Sequence, residues 1–279
     1  FVACFIYVGC LRPPQSTLSS SSAASEVYKR HVHGSGPNDR DETIGPNRLF
    51  RDLADSLTAA GIASLRYDKR TYVYRAETAS ISGGKLDYDV ETVDDAVCAI
   101  DLLRRTAGID PQRIYVVGHS QGAMLAPRIA THSGKAAGCV MLAAPARTLD
   151  VLLHEQLRHL APQSGMTVAQ ADSTAESMWH KLPADYRAMA SAYDPVAEAA
   201  ALSVPMLFVQ GGNDYQVTSA DFSLYQEALR GNSRALFVFL PEADHLMRPL
   251  EKQAVPADYQ RFVPISGKAV VAIRDFIHQ

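Results

Sequence analysis

The stretch that most constrains the fold of this chain is the pentapeptide GHSQG at residues 118–122. It directly follows the β-branched run RIYVV at 113–117, which predicts a strand, and it directly precedes residues 121–133, whose pattern predicts a helix. A turn that leads so quickly from a strand into a helix is strained, and its backbone leaves no room for a Cβ atom on either side of the central residue. We therefore expect Ser120 to be lifted above a sheet, at the positive end of the following helix.

The rest of the chain, from about residue 44 onward, alternates between helix and strand patterns. Apolar residues at helical spacing predict helices over residues 47–60, 89–107 and 266–278. Apolar and β-branched runs predict strands over residues 62–67, 139–143, 206–210 and 235–240. Strands that alternate with helices of this length are joined by crossover connections, so we expect a mostly parallel sheet with helices on both faces.

One segment, residues 146–203, is longer than a crossover connection requires. It contains apolar helical patterns around 151–160 and 173–180, and we interpret it as an inserted helical cap. Such insertions leave the carboxyl ends of strands, where open α/β sheets bind their ligands. Met178 and Trp179 are therefore expected to shape a substrate pocket, with a place in the core as the alternative.

The composition excludes several classes of protein. A formal net charge of −3 excludes a general electrostatic affinity for nucleic acid or anionic membranes. A hydrophobic content of 47%, with 17 Gly and 15 Pro, excludes a disordered or fibrous chain. The 4 cysteines form no C-x-x-C pattern, which gives no support to a zinc or redox site. Cys98 and Cys139 lie in apolar segments and are expected to be buried thiols.

The start of the chain is unusual. Residues 1–11 (FVACFIYVGCL) are apolar but far too short to span a bilayer, and Ser-rich residues 16–25 are typical of a linker. One interpretation is the apolar part of a secretory signal, with Cys10 as a lipid-attachment site; the other is a truncated or misassigned start. We expect residues 1–30 to be an atypical segment or linker and 31–279 to be one α/β domain. A cytoplasmic location is favoured, and the signal interpretation would make the protein secreted or lipid-anchored.

The residues that follow two of the predicted strands complete a catalytic pattern with Ser120. A serine hydroxyl needs a base to become a nucleophile, and the base needs an acid to orient it. In a strand–turn–helix architecture of this kind the order along the chain is serine, acid, histidine. Asp214 follows the strand at 206–210, and His245 follows the strand at 235–240. We predict a Ser120–Asp214–His245 triad in which His245 takes the serine proton and Asp214 fixes its tautomer.

Other acids and histidines in the chain fit these roles less well. Asp244 could replace Asp214, but its position next to His245 makes the geometry awkward, and Asp194 is a weaker alternative acid. His119 lies at the turn, where a sequence neighbour of the nucleophile is expected to point elsewhere. The remaining histidines follow no strand in the required position: His31, His33, His132, His154, His159, His180 and His278.

A tetrahedral intermediate needs two backbone N–H donors directed at its oxyanion. The first predicted donor is Gln121, which directly follows the nucleophile. The second is expected in a loop after an early strand, and the HGSGP stretch at 33–37 suggests Ser35. The residues that support these motifs are His33, Gly34, Gly118, His119 and Gly122. Residues 26–32, which precede this loop, are basic and only weakly strand-like, whereas central parallel strands are normally apolar along their whole length.

Three motifs in order, HGSGPNDRD at 33–41, LRYDKR at 65–70 and GHSQG, resemble the α/β-hydrolase superfamily. Within it they resemble bacterial serine carboxylesterases of the dienelactone-hydrolase-like branch. The resemblance implies the α/β-hydrolase fold and hydrolysis of short-chain carboxylic esters without a metal or cofactor. It also implies that Asp68 and Arg70 support the entrance of the site structurally.

The leading hypothesis is a serine esterase that cleaves a small-molecule ester through an acyl-enzyme. The same triad serves peptidases, thioesterases and acyltransferases, because fold and triad do not determine the leaving group. A non-catalytic binding protein on this fold is a further alternative, although it would usually have lost a triad member. We expect no nucleic-acid partner and no membrane span, and the sequence makes no prediction of oligomeric state.

Overall fold

The computed structural model describes residues 3–4, 32–81, 83–84 and 86–279. The predictions of a linker at 16–25 and of a lipid-attachment site at Cys10 lie outside the described residues. Among the residues that are described, no helix has both the length and the apolar character needed to cross a lipid bilayer.

Within the described residues, six parallel strands form the central sheet, in the order β4–β1–β5–β6–β7–β8. Their bounds are β1 Ala3–Cys4, β4 Ala63–Ser64, β5 Ile114–His119, β6 Gly138–Leu142, β7 Met206–Gly211 and β8 Ala235–Leu240. A separate two-stranded hairpin is formed by β2 Thr43–Ile44 and β3 Asn47–Arg48. The expected parallel sheet is therefore confirmed, although the strand predicted at 62–67 is reduced to the two residues of β4.

The position between β4 and β5 is shared by two parts of the chain. β1 pairs with both neighbours, and Cys4 lies opposite Tyr115. Further along β5, Val32 forms a parallel bridge with Gly118. The Val32 N–H donates to the Val117 carbonyl at 2.8 Å, and the His119 N–H donates to the Val32 carbonyl at 3.0 Å. Val32, the residue directly before the HGSGP loop, is thus hydrogen-bonded to β5. These bonds fix where the loop begins.

The described helices lie between and after these strands. Their bounds are α1 Leu49–Ala59, α2 Arg70–Val73, α3 Thr78–Ile81, α4 Asp94–Arg104, α5 Gln121–Ser133, α6 Leu149–Ser164, α7 Val168–Lys181, α8 Ala184–Ala192, α9 Pro195–Ala201, α10 Ser219–Ala228 and α11 Gly267–His278. A π-helical turn, Asp89–Val93, precedes α4, and short 3-10 turns lie at Arg75–Glu77 and Pro256–Gln260. The helix predicted at 89–107 is therefore two elements, whereas the helix predicted at 121–133 coincides with α5.

Alternate residues of the central strands pack on opposite faces of the sheet. On β5, Val116 belongs to a buried cluster that includes Ile100 of α4, whereas Val117 belongs to a second cluster with Leu53 of α1 and Ile273 of α11. Successive strand side chains point to opposite faces, so strands buried on both sides must be apolar at nearly every position. The expected coverage of both faces by helices is confirmed.

Four helices, α6 to α9, lie between β6 and β7, where the sequence predicted two. The patterns at 151–160 and 173–180 fall inside α6 and α7. The start of α9 carries its own signal, since Asp194 caps the helix by accepting the N–H groups of Val196 and Ala197, with Pro195 at the first position. Asp194, the weaker alternative acid, therefore serves as the N-cap of α9.

Two predictions about side-chain burial need correction, one for Cys98 and one for Met178. Cys139 is buried, but Cys98 is exposed. The reason is the helical period, because the buried Ala96 and Ile100 of α4 direct Cys98, two residues from each, toward the outside. In the α6–α9 segment, Met178 is 43% exposed, whereas the neighbouring Trp179 packs against the larger core.

The aromatic core around β7 provides a test of this packing. Phe208 is buried, with its ring centroid 4.8 Å from that of Tyr225 and 4.8 Å from that of Phe237. Phe208→Ala should lower the free energy of unfolding by about 3–5 kcal/mol, because it removes apolar contacts and leaves a cavity. Chemical denaturation measures this loss. Phe262→Ala, at a position that is 54% exposed, is the matched control, and an equal loss in both variants would contradict the core assignment.

Candidate active site

Ser120 occupies a strained position between β5 and α5. Its backbone has φ 53° and ψ −122°, a region that residues other than glycine rarely adopt. The Ser120 N–H donates to the Leu142 carbonyl of β6 at 2.9 Å, and the side chain is partly exposed. Such strain persists only where surrounding contacts enforce it, and it is concentrated at functional sites.

The glycines of the pentapeptide are required by close backbone contacts. A Cβ atom on Gly118 would lie 2.2 Å from the Gly122 carbonyl oxygen. A Cβ atom on Gly122 would lie 2.2 Å from the Val32 carbonyl oxygen. Both distances are far inside van der Waals contact, so the turn and its packing against Val32 depend on the absence of side chains here.

His245 and Asp214 are in direct contact, in loops that follow β8 and β7. The two atoms that meet, His245 Nδ1 and Asp214 Oδ2, are 2.7 Å apart, and both side chains are buried. The other oxygen of Asp214 accepts the N–H groups of Gln216 and Val217 at 2.8 and 3.0 Å. A carboxylate held in this way fixes the orientation of the imidazole and keeps the proton on Nδ1.

His245 also lies close to the strained turn. Its ring centroid is 4.6 Å from that of His119, the residue before Ser120. In addition, His119 Nε2 is 2.9 Å from the carbonyl oxygen of His245. The structure therefore brings the predicted base and its acid to the edge of the sheet that carries Ser120.

The HGSGP loop approaches Ser120 closely. A Cβ atom on Gly34 would be 3.3 Å from Ser120 Cβ, which measures how closely the loop approaches the turn. Ser35 and Gln121, the two predicted oxyanion donors, line the same cavity. Burial lowers the pKa of His33 to about 4, so its ring is neutral, and it packs edge-on against the rings of Phe50 and Tyr67.

This architecture agrees with a comparison of the sequence with known protein families. The profile of the alpha/beta hydrolase family matches residues 31–258. The chain belongs to this family. The family resemblance inferred from the three motifs is thereby confirmed.

The chain is also similar to the esterase EstD of Thermotoga maritima, with 38% identity over 241 residues. The match covers 82% of this chain and 57% of EstD, so the chain spans little more than half the length of that relative.

Solved structures show the same fold at low sequence identity. The Pyrococcus furiosus esterase superimposes with a TM-score of 0.52 at 15% identity, covering 91% of this chain and 82% of that one. A meta-cleavage product hydrolase from Pseudomonas fluorescens superimposes with a TM-score of 0.55 at 17% identity, covering 90% and 92% of the two chains. At these identities the similarity shows a shared fold.

Asp244, the alternative acid next to His245, has a different partner in this α/β hydrolase. Its carboxylate accepts Arg248 Nε at 2.9 Å and a second guanidinium nitrogen at 2.5 Å, and both side chains are buried. The Arg248 guanidinium also lies 4.7 Å from the ring centroid of Tyr259. Asp244 therefore holds the His245 loop in place, whereas Asp214, the preferred acid, contacts the His245 ring. Within the described part of the chain, no three His, Cys, Asp or Glu side chains are arranged to bind a metal ion.

Glu42, which sequence reasoning missed, forms a buried pair with the predicted support residue His119, and this pair connects the parts of the site. Glu42 Oε1 lies 2.9 Å from His119 Nδ1 and accepts the Gly34 N–H at 2.8 Å. His119 Nε2 faces the His245 carbonyl. Because a carboxylate and a carbonyl oxygen only accept hydrogen bonds, both ring nitrogens donate, and His119 is an imidazolium. Burial disfavours that charge, but the Glu42 carboxylate outweighs burial and raises the pKa of His119.

The loop that follows β4 contributes three charged residues in succession. Asp68 binds Arg40 through two guanidinium nitrogens, and Arg70 binds Asp95 in the same manner. These pairs join the loop to its neighbours. Between them, Lys69 is fully buried beside Gly34 and Gln121, and sequence reasoning gave it no role.

The Glu42–His119 pair predicts a dependence of stability on pH. The pKa of His119 is raised from 6.5, so its contribution is complete below pH 6.5 and is lost as pH rises through the raised value. Burial by itself would raise the pKa of Glu42, but His119 outweighs burial and lowers it from 4.5, so that contribution is complete above pH 4.5 and is lost on acidification. The stability difference between wild type and Glu42→Gln should therefore be largest between pH 4.5 and pH 6.5. It should decrease at lower pH and, above the raised pKa of His119, at higher pH. Urea midpoints measured across pH test this, and a difference independent of pH would contradict the ion pair.

The buried Asp244–Arg248 pair predicts a large loss of stability when one partner is removed. Arg248→Met leaves the Asp244 carboxylate buried without its counter-ion, and the free energy of unfolding should decrease by about 3–5 kcal/mol. The control is Lys135→Met, which removes an ion pair to Asp101 whose side chains are 39% and 43% exposed and should cost less than about 1 kcal/mol. If both substitutions had equal effects on the denaturation midpoint, the structural assignment of Asp244 would be wrong.

Proposed function

We propose that this α/β hydrolase is a serine esterase that hydrolyses carboxylic esters of small molecules through an acyl-enzyme. The observation that carries the proposal is the buried 2.7 Å contact between His245 and Asp214, at strand ends beside the strained turn of Ser120. The name of the T. maritima relative, an esterase, supports the same reaction class.

In the proposed mechanism the two ring nitrogens of His245 have separate tasks. Nδ1 donates to Asp214, which leaves Nε2 to accept the proton of the Ser120 hydroxyl. The serine oxygen attacks the ester carbonyl, and the tetrahedral intermediate collapses as His245 gives its proton to the departing alcohol. A water molecule, deprotonated by the same nitrogen, then releases the acid and regenerates Ser120.

Stabilisation of the oxyanion falls to backbone donors in this proposal. Gln121 is the first residue of α5, so its N–H has no carbonyl partner within the helix and lies at the positive end of the helix dipole. The Ser35 N–H approaches from the opposite loop. Each correctly placed donor in such a hole is worth about 10²–10³ in rate.

The substrate is proposed to occupy the cavity that Ser35 and Gln121 share. Its other lining residues are mostly apolar or aromatic and include Tyr88, Met124, Leu149, Leu152 and Tyr193. Such walls favour an uncharged acyl or alcohol group. Because α6 and α8 contribute part of the lining, we infer that the α6–α9 segment acts as a cap over the site.

Replacement of the nucleophile tests the proposal directly. Ser120→Ala should abolish hydrolysis of p-nitrophenyl esters and labelling by a fluorophosphonate probe, because the attacking oxygen is removed while the fold is retained. The rate of p-nitrophenol release and the mass of the labelled protein are the measurements. The matched control is Ser223→Ala at an exposed position of α10, which should retain both activities.

Two outcomes would contradict the proposal. Full ester turnover in Ser120→Ala would remove the nucleophile from the mechanism. Hydrolysis of aminoacyl p-nitroanilides in place of esters by the wild type would identify a peptidase that uses the same residues.

A further inference from the structure

Lys69 is a buried cation with a complete set of hydrogen bonds. Its side chain is 1% exposed, and its ammonium group donates to Glu91 Oε1 at 2.6 Å, to the Gly34 carbonyl at 3.1 Å and to Gln121 Oε1 at 3.1 Å. An ammonium group has three donors, so all of them are used. A charge held away from water in this way is costly unless every donor is paired, which makes the position of Lys69 sharply defined.

Two of the three acceptors are directly linked to the proposed oxyanion donors, the N–H groups of Ser35 and Gln121. The Gly34 carbonyl and the Ser35 N–H are parts of one peptide unit, and in a planar trans peptide they point in opposite directions. A bond from Lys69 to the carbonyl therefore determines where the Ser35 N–H points. The third contact, to Gln121, holds the side chain of the residue that supplies the other N–H donor.

The loop that carries Ser35 has further bonds to the same region. The Asn38 side-chain amide donates to the Gly34 carbonyl at 3.1 Å, and the Lys69 N–H donates to the Asn38 carbonyl at 3.0 Å. Lys69 thus binds this loop both through its backbone and through its side chain. Rotation of the Gly34–Ser35 peptide would break the bonds from both Lys69 and Asn38.

Glu91 and Tyr186 complete the arrangement on the far side of Lys69. Glu91 Oε2 accepts the Tyr186 hydroxyl at 3.0 Å, and the Gln121 amide nitrogen donates to the same hydroxyl oxygen at 3.3 Å. The Gln121 side chain is therefore fixed at both ends, by Lys69 and by a residue of α8. Glu91 also balances the charge of Lys69, which allows both groups to be buried.

We propose that Lys69 is a positioning residue of the oxyanion hole, which aligns the Ser35 and Gln121 N–H groups on one substrate oxygen. The inference rests on the proposed function, since it assigns Lys69 to the same reaction. Donors that are aligned before the reaction stabilise the transition state without reorganisation, so the loss of alignment lowers kcat more than it weakens substrate binding.

Lys69→Met, which keeps the length of the side chain and removes its donors, is the first test. For a p-nitrophenyl ester we expect kcat to fall by about 10–100-fold, less than the loss of a donor outright, while KM changes by less than about threefold. The matched control, Lys135→Met on the surface, should leave both constants unchanged. A kcat of Lys69→Met equal to that of the wild type would overturn the proposal.

A second variant separates positioning from simple charge balance. Lys69→Met leaves Glu91 buried without its counter-ion, which should destabilise the fold. Lys69→Met combined with Glu91→Gln removes both charges, and this double variant should unfold in a cooperative transition. We expect kcat of this double variant to stay low, because the donors to Gly34 and Gln121 are still missing. Recovery of the wild-type kcat in the double variant would show that Lys69 only neutralises Glu91, and the proposal would be wrong.

Inhibitor binding distinguishes failure of this inference from failure of the proposed function. If wild-type protein is not labelled by a fluorophosphonate, the serine mechanism fails and this inference fails with it. If the wild type is labelled, the double variant should still be labelled to completion, but about 10–100-fold more slowly. An alkylboronic acid, whose adduct with Ser120 resembles the tetrahedral intermediate, should lose affinity by a similar factor. Equal labelling rates and equal boronate affinities in the wild type and the double variant would exclude a role in the oxyanion hole.

Discussion

The site depends on a buried carboxylate that joins segments which the sheet only brings near one another. Strand pairing fixes the turn at the end of β5 and carries the loops after β7 and β8 to the same edge. Glu42 then binds the Gly34 N–H and the His119 ring, and His119 in turn binds the His245 carbonyl. The loop of the proposed oxyanion hole, the strained turn and the proposed base are thus held by one ion pair, which is insulated from solvent and from salt screening.

The parts of this arrangement that sequence predicts well are those that depend on hydrophobic period. α5 and β8 coincide with their predicted ranges, and β7 differs by one residue, because apolar runs and apolar residues at helical spacing are strong local signals of strands and helices. Asp214 and His245 could be selected because they directly follow such runs. The strand predicted at 62–67 is reduced to β4, which lies at the edge of the described sheet and pairs with the equally short β1. Residues 26–32 are only weakly strand-like in sequence, and Val32 is bonded to the sheet through its longer neighbour β5.

Two residues that sequence reasoning missed, Glu42 and Lys69, are charged. Glu42 lies next to the motif NDRD, and Lys69 lies within DKR, so a local pattern gives each the profile of a solvated surface run. Burial of such a residue depends on a partner far along the chain, as Lys69 depends on Glu91 and Glu42 on His119. A single sequence contains the partners but not their pairing. Spacing therefore identifies residues at strand ends and misses those that hold them in place.

The residues that hold the site in place also balance their charges around Ser120. The ion pairs Glu42–His119, Lys69–Glu91 and Asp244–Arg248 are each buried and each neutral overall, so none needs water to offset its charge. In the proposed reaction, a negative charge that develops on substrate oxygen meets a surrounding of fixed dipoles and paired ions. In a low-dielectric site, such fixed groups stabilise the charge more strongly than mobile water does, because they need not reorient as the charge forms. Burying these ions costs free energy when the chain folds. Their stabilisation of the charge on the substrate oxygen arises only when the proposed intermediate forms.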